Sequence, residues 1–341
     1  MKLLEEIAGE INLIVLSMIT RNSVSRLKKT PITLMDVLDS TLQVPYRSII
    51  LVDDSKDDTK RVVREWTSRH GLEIIIISSK QYGHPHPTRA TARQTAIDIF
   101  FENFSDEWLM FMDDDVMLKE GWWKWIRENR IMEDPRVGEI WGINWHASPE
   151  KKKLLDLLGI NYKDYLMKKF NERGGTHDTL YRRKAIEGVR IPPELHIYED
   201  AYLHYWVKCN KWKSVVNPVG AIHYHPAETF TDIKREKERM KLAIHVATKY
   251  GICEYDIIKK MKASKKNRVL AYFSLMRPIL GFALTLPIMI KAYGFNRGVK
   301  ETFKQQYLKL WFRWQVLRIT QEGIPEICEV IVQKNVGSEN H

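Results

Sequence analysis

The chain has 341 residues, 44% of them hydrophobic and 28% charged, which is the composition of a folded globular protein and excludes a disordered one. Lys and Arg outnumber Asp and Glu by 54 to 43, a net charge of +11, so a polyanionic partner is expected: nucleic acid, an anionic membrane surface or a phosphorylated substrate. Three cysteines, Cys209, Cys253 and Cys328, are scattered and odd in number; they make neither a metal nor a disulfide framework and point to a reducing compartment.

Residues 11–19 form a short apolar stretch that carries Asn12 and Ser17 and follows Glu5, Glu6 and Glu10, so it reads as a first strand rather than a signal peptide. Thr30 before Pro31 predicts a helix opening there and running to about Leu38. A second strand is expected over 46–52, and an amphipathic helix over 58–70 that Gly71 stops. A third strand at 73–78, a helix at 88–101 and the strand Trp108-Leu109-Met110-Phe111-Met112 complete the first third. This β-α-β-α-β-α-β order predicts an α/β fold, a Rossmann-like and mostly parallel sheet with right-handed crossovers and flanking helices. No internal repeat is evident.

The fourth strand ends in Asp113, Asp114 and Asp115. Ligands of open α/β sheets bind at the carboxyl ends of strands, and three acids there repel one another unless a positive group sits among them. Hard oxygen ligands in this spacing suit Mg²⁺ or Mn²⁺; an acidic turn capping the next helix is the bland alternative. The second strand ends likewise, in VDDSKDDT at 52–59, where Asp54, supported by Asp53, is placed to hydrogen-bond a base or ribose. Ser55, Asp57 and Asp58 equally suit a helix cap. On the helix expected at 88–101, Arg89 and Arg93 are four apart, on one face, and would reach a ribose or diphosphate unless that face is simply solvated.

Further on, Gly174-Gly175 precedes a short strand and would let backbone approach a sugar closely, or make an ordinary turn. Glu199 and Asp200 open an apolar helix, either as caps that complement its dipole or as carboxylates able to take a proton from a hydroxyl. In GAIHYHP (220–226), His223 and His225 share one face of a strand; His223 is preferred as a metal ligand beside the aspartates, with packing as the alternative. Trp122, Trp123 and Trp125 are candidates for stacking on sugars, with a helix core the competing role for at least one of them.

After residue 255 the composition changes. Six basic residues between Lys259 and Arg268 lead into an apolar stretch, 269–290, long enough to span a bilayer if Arg277, Pro278 and Pro287 are tolerated within it. Residues 307–319 mix Trp311, Phe312, Trp314 and Leu317 with Lys309, Arg313 and Arg318, as interfacial helices do. Three regions are expected: a catalytic domain at 1–255, a helical membrane-associated region at 256–332 and a tail at 333–341.

The succession VDDSKDDT, ATARQTAID, FMDDDV, GGT…YRR and YED resembles the family 2 glycosyltransferases of the GT-A fold over roughly residues 10–230. The resemblance implies that Asp53 and Asp54 contact the nucleotide of a sugar donor, that Asp113 and Asp115 are the outer residues of a DxD motif, and that Asp200 is the general base with Glu199 beside it. Donor contacts are then expected from Asp53, Asp54, Arg89, Arg93, Asp113 and Asp114, and ligation of Mn²⁺ or Mg²⁺ from Asp113, Asp115 and His223. The C-terminal region resembles that of dolichyl-phosphate-mannose synthases, of membrane-attached archaeal mannosyltransferases and, loosely, of cellulose synthases. The QxxRW motif of processive enzymes is absent, because Leu310 stands where its glutamine would precede Arg313-Trp314. The expectation is a cell-membrane enzyme with its catalytic domain cytoplasmic, taking mannose from GDP-mannose, with a UDP-sugar as the other donor, to a lipid-linked acceptor: a glycolipid, a lipid-linked oligosaccharide or a polyprenyl phosphate. A Mg²⁺-dependent nucleotidyltransferase or phosphatase, and a basic membrane- or nucleic-acid-binding protein, are the alternatives. The first lacks a glycine-rich phosphate loop near the first strand and the second lacks a recognition motif, so no nucleic acid partner is expected.

Overall fold

The computed structural model describes residues 14–146, 155–224, 232–253, 258, 277–319 and 324–336. Residues 11–13, His225, the basic run 259–268 and the first part of the apolar stretch, 269–276, lie outside them. The chain divides into two compact units, Met1–Ala147 with Leu166–Pro226, and Ser148–Tyr165 with Ala227–His341.

In the first unit the strands and helices alternate: β1 (Ile14–Thr20), α1 (Ser23–Leu27), α2 (Leu34–Thr41), β2 (Ser48–Asp53), α3 (Thr59–Arg69), β3 (Glu73–Ile77), α4 (Arg89–Asn103), β4 (Trp108–Asp113), β5 (Val116–Leu118), α5 (Trp122–Glu128) and β6 (Val137–His146). Then follow α6 (Tyr162–Arg173), which enters this unit at Leu166, β7 (Asp178–Arg182), α7 (Glu199–Cys209) and β8 (Lys213–His223). One eight-stranded sheet has the order β3-β2-β1-β4-β7-β6-β8-β5. The chain steps outward from β1 to β3 and then returns, so that β4 pairs with the other side of β1. That reversal makes a topological switch point between β1 and β4, the place where open α/β sheets form a crevice at the strands' carboxyl ends.

The expected parallel sheet holds from β3 to β4. Beyond β4 the sheet is mixed: β7 runs antiparallel to both β4 and β6, β6 is parallel to β8, and β5 is antiparallel to β8. Periodicity marks strands but carries no direction, and here the short β5 pairs at the far edge rather than beside β4. The strand Trp108 to Met112 is fully buried along its length, as an uninterrupted apolar run flanked by β1 and β7 requires.

The helix expected from Thr30 starts three residues later. Thr33 is its N-cap, its hydroxyl accepting from the Asp36 amide while the Asp36 carboxylate accepts from the Thr33 amide at 2.7 Å. This reciprocal box satisfies two amides that the first turn leaves unpaired, whereas the Thr30 hydroxyl donates back to the Leu27 carbonyl at 2.8 Å. The five-residue α1 is too short to show a period and has no counterpart in the sequence reading. Helix α3 matches its expected span, ending before Gly71, whose φ of 64° is the left-handed conformation that ends helices. Its Trp66 is buried with the indole N–H donating to Asp39 at 2.7 Å.

The second unit contains α8 (Ile233–Tyr250), α9 (Arg277–Tyr293), α10 (Phe295–Ile319) and α11 (Ile327–Val336). Asp232 caps α8, accepting from the amides of Lys234 and Arg235, and Gly251 ends it at φ 72°. Met240, Ile244 and Ala247 of α8 pack with Leu308, Phe312 and Val316 of α10 in a small core. Helices α9 and α10 are joined through Gly294 and meet closely: the Phe282 and Phe303 rings are 4.6 Å apart, Gln306 donates to the Thr285 hydroxyl at 3.0 Å, and a Cβ at Gly298 would lie 2.6 Å from the Ile290 backbone. Among the described residues no helix is long and apolar enough to cross a membrane. Helix α9 is 17 residues long and has Pro287 inside it. Leu284 on α9, and Phe303, Tyr307, Leu310 and Trp314 on α10, are exposed.

Candidate active site

The acids of the two strand ends meet at the switch point. Register places Thr20 opposite Asp53 and Ile19 opposite Asp113, so both aspartates close strands flanking β1. Asp53 is fully buried: it accepts from the hydroxyls of Thr20 and Ser55 and lies 3.7 Å from the Lys60 ammonium. Asp54 is half-buried, with its amide on the Thr20 carbonyl at 3.2 Å and its carboxylate accepting from Ser79, just beyond β3, at 3.0 Å. Asp53 thus braces the loop, and Asp54 is the more open of the two.

Asp113, Asp114 and Asp115 each have a different partner set. The Asp113 carboxylate takes a 2.5 Å hydrogen bond from Arg93. Asp114 accepts from the Ser23 hydroxyl and from Arg26. Asp115 accepts from Arg26 at 2.6 Å and from the His223 Nε2 at 3.0 Å. The last contact follows from strand pairing, since β5 opens with Val116 opposite His223 and the Tyr224 amide donates to the Asp115 carbonyl at 2.9 Å. The Asn144 amide sits 3.0 Å from His223 Nδ1, which assigns the proton to Nε2 in this arrangement.

These environments separate the three carboxyls. Burial would raise Asp113, but Arg93 holds it below the ordinary carboxylate range. Burial pushes Asp114 up to about 6 against the pull of Arg26. Burial would also raise Asp115, yet the hydrogen bond from His223, with Arg26, holds it far below. Behind them His177 is pushed down to about 3 by burial and by His223, and burial raises Asp178 well above its usual range although it accepts from the Trp122 indole at 2.9 Å.

Asp115 and His223 are adjacent donors, and Asp113 is two residues away. Among the described residues no three His, Cys, Asp or Glu side chains gather around one point. The donor set nevertheless fits Mg²⁺ or Mn²⁺, which bind through one or two carboxylates and take substrate phosphates and water for the rest. The Asn144 Oδ1 is buried without a hydrogen bond, so turning that amide over would accept a proton from His223 Nδ1 and leave Nε2 as a lone pair for a cation.

Arg93, expected among the donor contacts, is buried rather than open on its helix face. It is 1% exposed, stacked over the Phe111 ring at 4.8 Å, and lies 3.9 Å from Glu199 as well as against Asp113. Arg89, one turn earlier, is exposed; burial would lower it, but the carboxylates of Asp113, Glu199, Asp115 and Asp200 keep it above its ordinary value. Glu199 and Asp200 form the first turn of α7 and differ sharply. Glu199 is buried, and burial together with Asp200 pushes it up to about 8 against Arg93. Asp200 is half-buried, accepts from the Ala201 amide at 2.7 Å and from Arg173 at 3.4 Å, while Arg173 also donates to the Ile197 carbonyl at 2.7 Å.

Asp114, expected to contact a donor, is buried like Asp115 and is held by Ser23 and Arg26. Trp122 is fully buried, and Trp123 and Trp125 pack partly buried on the same core, which accounts for the tryptophans by packing. Gly174 has φ 73°, and a Cβ there would collide with the His204 Cβ at 2.4 Å, so close packing against α7 explains this glycine. Ser23, Arg26 and Asn144 were not legible in the sequence, because they meet the acids or His223 through tertiary contacts from segments with no motif, and Arg173 and His177 lie in a stretch read for its glycines alone.

The model of the family described as Glycosyl transferase family 2 matches residues 18–189, half of the chain. The chain belongs to that family and is a glycosyltransferase. The matched span runs from β1 past β7 and includes both acidic strand ends. Among solved structures, the chain is similar to the mannosyltransferase PcManGT from Pyrobaculum calidifontis in complex with GDP-Man and Mn²⁺, at 12% identity over 96% of this chain and 80% of that one, with a TM-score of 0.49. It is also similar to glucosyl-3-phosphoglycerate synthase from Mycobacterium tuberculosis in complex with Mn²⁺, uridine diphosphate and phosphoglyceric acid, at 13% identity over 70% and 81% of the two chains, with a TM-score of 0.43. No curated protein sequence matches.

Glu199 makes a stability prediction. A carboxyl raised on folding binds a proton that the unfolded chain has already lost, so its contribution to stability falls as pH rises from the ordinary carboxylate range to about 8. Urea midpoints of the native protein should therefore drop between pH 6 and 8.5 by more than those of Glu199→Gln, which carries no such proton. Parallel pH profiles would contradict the assignment.

Proposed function

We propose that this family 2 glycosyltransferase is a metal-dependent, inverting enzyme that transfers mannose from GDP-mannose to a lipid-linked acceptor at the cytoplasmic membrane face. The observation that carries the reading is the meeting of Asp115 with His223, beside Asp113, at the switch point of the sheet. Asp113, Asp115 and His223 would hold Mn²⁺ or Mg²⁺, and the cation, when bound, offsets the negative charge that grows on the departing nucleoside diphosphate. Asp54, whose carboxylate accepts from Ser79, would contact the ribose or base, and the exposed Arg89 the diphosphate.

Asp200 takes the proton. Of the two acids opening α7, Glu199 is pushed up to about 8 and carries its proton at neutral pH, which makes it a poor base there. Asp200 is partly open, and Arg173 orients it by holding both its carboxylate and the Ile197 carbonyl. The acceptor hydroxyl gives its proton to the Asp200 carboxylate, its oxygen bonds the anomeric carbon, and the bond to the diphosphate oxygen breaks on the opposite face. One displacement inverts the centre. Arg93, between Asp113 and Glu199, keeps the donor and base regions in register.

The choice of GDP-mannose rests on the resemblance drawn from the sequence, and a UDP-sugar is the competing donor. The lipid acceptor and the membrane face rest on the second unit. Phe303, Tyr307, Leu310 and Trp314 recur at helical spacing along α10 and are exposed, with Lys304 and Arg313 on the same helix, the composition of a helix lying in an interface.

Asp200→Asn keeps the shape of the base but cannot accept a proton, so turnover should fall by ~10²-fold or more while GDP-mannose binding stays within twofold. Normal turnover would make Asp200 a cap. EDTA should abolish transfer, and Asp115→Ala should weaken nucleotide binding in the presence of Mn²⁺; full activity without a divalent ion would refute the metal reading. Replacing both Leu310 and Trp314 by Glu should release the protein from anionic vesicles in flotation and reduce transfer to lipid-linked acceptors, with donor binding retained. Equal flotation of the variant and the native chain would refute the interfacial role of α10.

A further inference from the structure

The three acids between β4 and β5 are balanced by two guanidiniums that differ in freedom. Arg93 projects from α4, is 1% exposed, and is confined between Phe111, Asp113 and Glu199. Arg26 projects from the five-residue α1, and its side chain is 34% exposed. It bridges two carboxylates at once, donating Nη1 to Asp115 at 2.6 Å and Nη2 to Asp114. Its departure would not strand either acid. Asp114 keeps the Ser23 hydroxyl, and Asp115 keeps His223.

We propose that Arg26 is a built-in counter-ion that stands in for the divalent cation on Asp115 in the donor-free enzyme and must leave that carboxylate when the cation binds. The inference rests on the reading of Asp115 as a metal ligand. Its charge logic is simple. Three carboxylates facing two guanidiniums leave one net negative charge, so a divalent cation arriving alone has to displace Arg26 or turn the cluster positive. A cation arriving with a nucleoside diphosphate brings its own negative charge, and the released guanidinium then faces an anion instead of solvent. Arg26 thus disfavours cation binding without donor and couples the two ligands.

If Asp115 is free of Arg26 only about a tenth of the time, the apparent affinity for the cation alone is reduced about tenfold, because only the competent fraction binds. Removing the guanidinium should restore that factor. The test is titration of Mn²⁺ alone into full-length, nucleotide-free protein, with unbound Mn²⁺ read by its electron paramagnetic resonance signal. Arg26→Met is expected to bind Mn²⁺ about tenfold more tightly than the native chain. Arg26→Lys, whose point charge cannot bridge two carboxylates, is expected to fall between them. An Arg26→Met affinity equal to or weaker than native would overturn the proposal by making Arg26 a structural clamp. Should that variant fail to fold, Arg26→Lys decides alone: tighter binding than native supports the counter-ion, and equal or weaker binding overturns it. Asp115→Asn separates the two layers. Loss of Mn²⁺ binding there, with Arg26 variants unchanged, refutes the counter-ion alone, whereas unaltered Mn²⁺ binding in Asp115→Asn refutes the metal site and the counter-ion with it.

Discussion

Three consecutive carboxylates can share a turn only where cations neutralise them, and much of the first unit is arranged to supply those cations. Asp113, Asp114 and Asp115 lie where β4 ends and β5 crosses to pair with β8. The crossing delivers His223 to Asp115, α1 delivers Arg26, and α4 delivers Arg93. None of these partners is near the acids in sequence. Burial of such a cluster without them would cost several kcal/mol per charge, so the sheet topology and the acid cluster stand or fall together.

The same arrangement divides labour among chemically identical groups. Asp115 is held ionised by His223 and Arg26, Asp114 is pushed toward neutrality by burial, and Asp113 is kept low by one buried arginine. On α7, adjacent Glu199 and Asp200 are separated in the same way, one buried and protonated near neutral pH, the other partly open and oriented by Arg173. Differences of environment, rather than of residue type, decide which carboxylate can ligate, which can accept a proton and which only supports its neighbours. Arg93 links the two sets, since it touches Asp113 on one side and approaches Glu199 on the other. A buried arginine with two acidic neighbours ties the end of β4 to the first turn of α7.

The second unit follows a different logic. Its helices α8 and α10 share a small core, yet α9 and α10 leave large apolar side chains exposed. Single exposed apolar residues are ordinary, but four at helical spacing on one 25-residue helix form a stripe. Among the described residues no helix is long and apolar enough to cross a bilayer.

The sequence by itself determined the alternation of strands and helices up to β4, the acidic ends of β2 and β4, and the acids that open α7. Each of these is a local signal: an apolar run has a period, a strand end has a composition, and a helix start has a cap. Tertiary structure alone decided that the sheet turns mixed beyond β4, because strand direction leaves no mark on hydrophobic period. It also decided that the helix after α1 starts at Leu34, where Thr33 and Asp36 close a reciprocal box that outcompetes Thr30 and Pro31. Most of all it decided which charges meet. Arg93 and Arg89 share a helix face in sequence, yet one is buried and the other exposed. Arg26 and Asn144 carry no motif, and they reach the acids and His223 only because strand register and a short helix bring them there. Electrostatic partnership acts through space over a few ångströms, and those distances are set by the fold rather than by spacing along the chain.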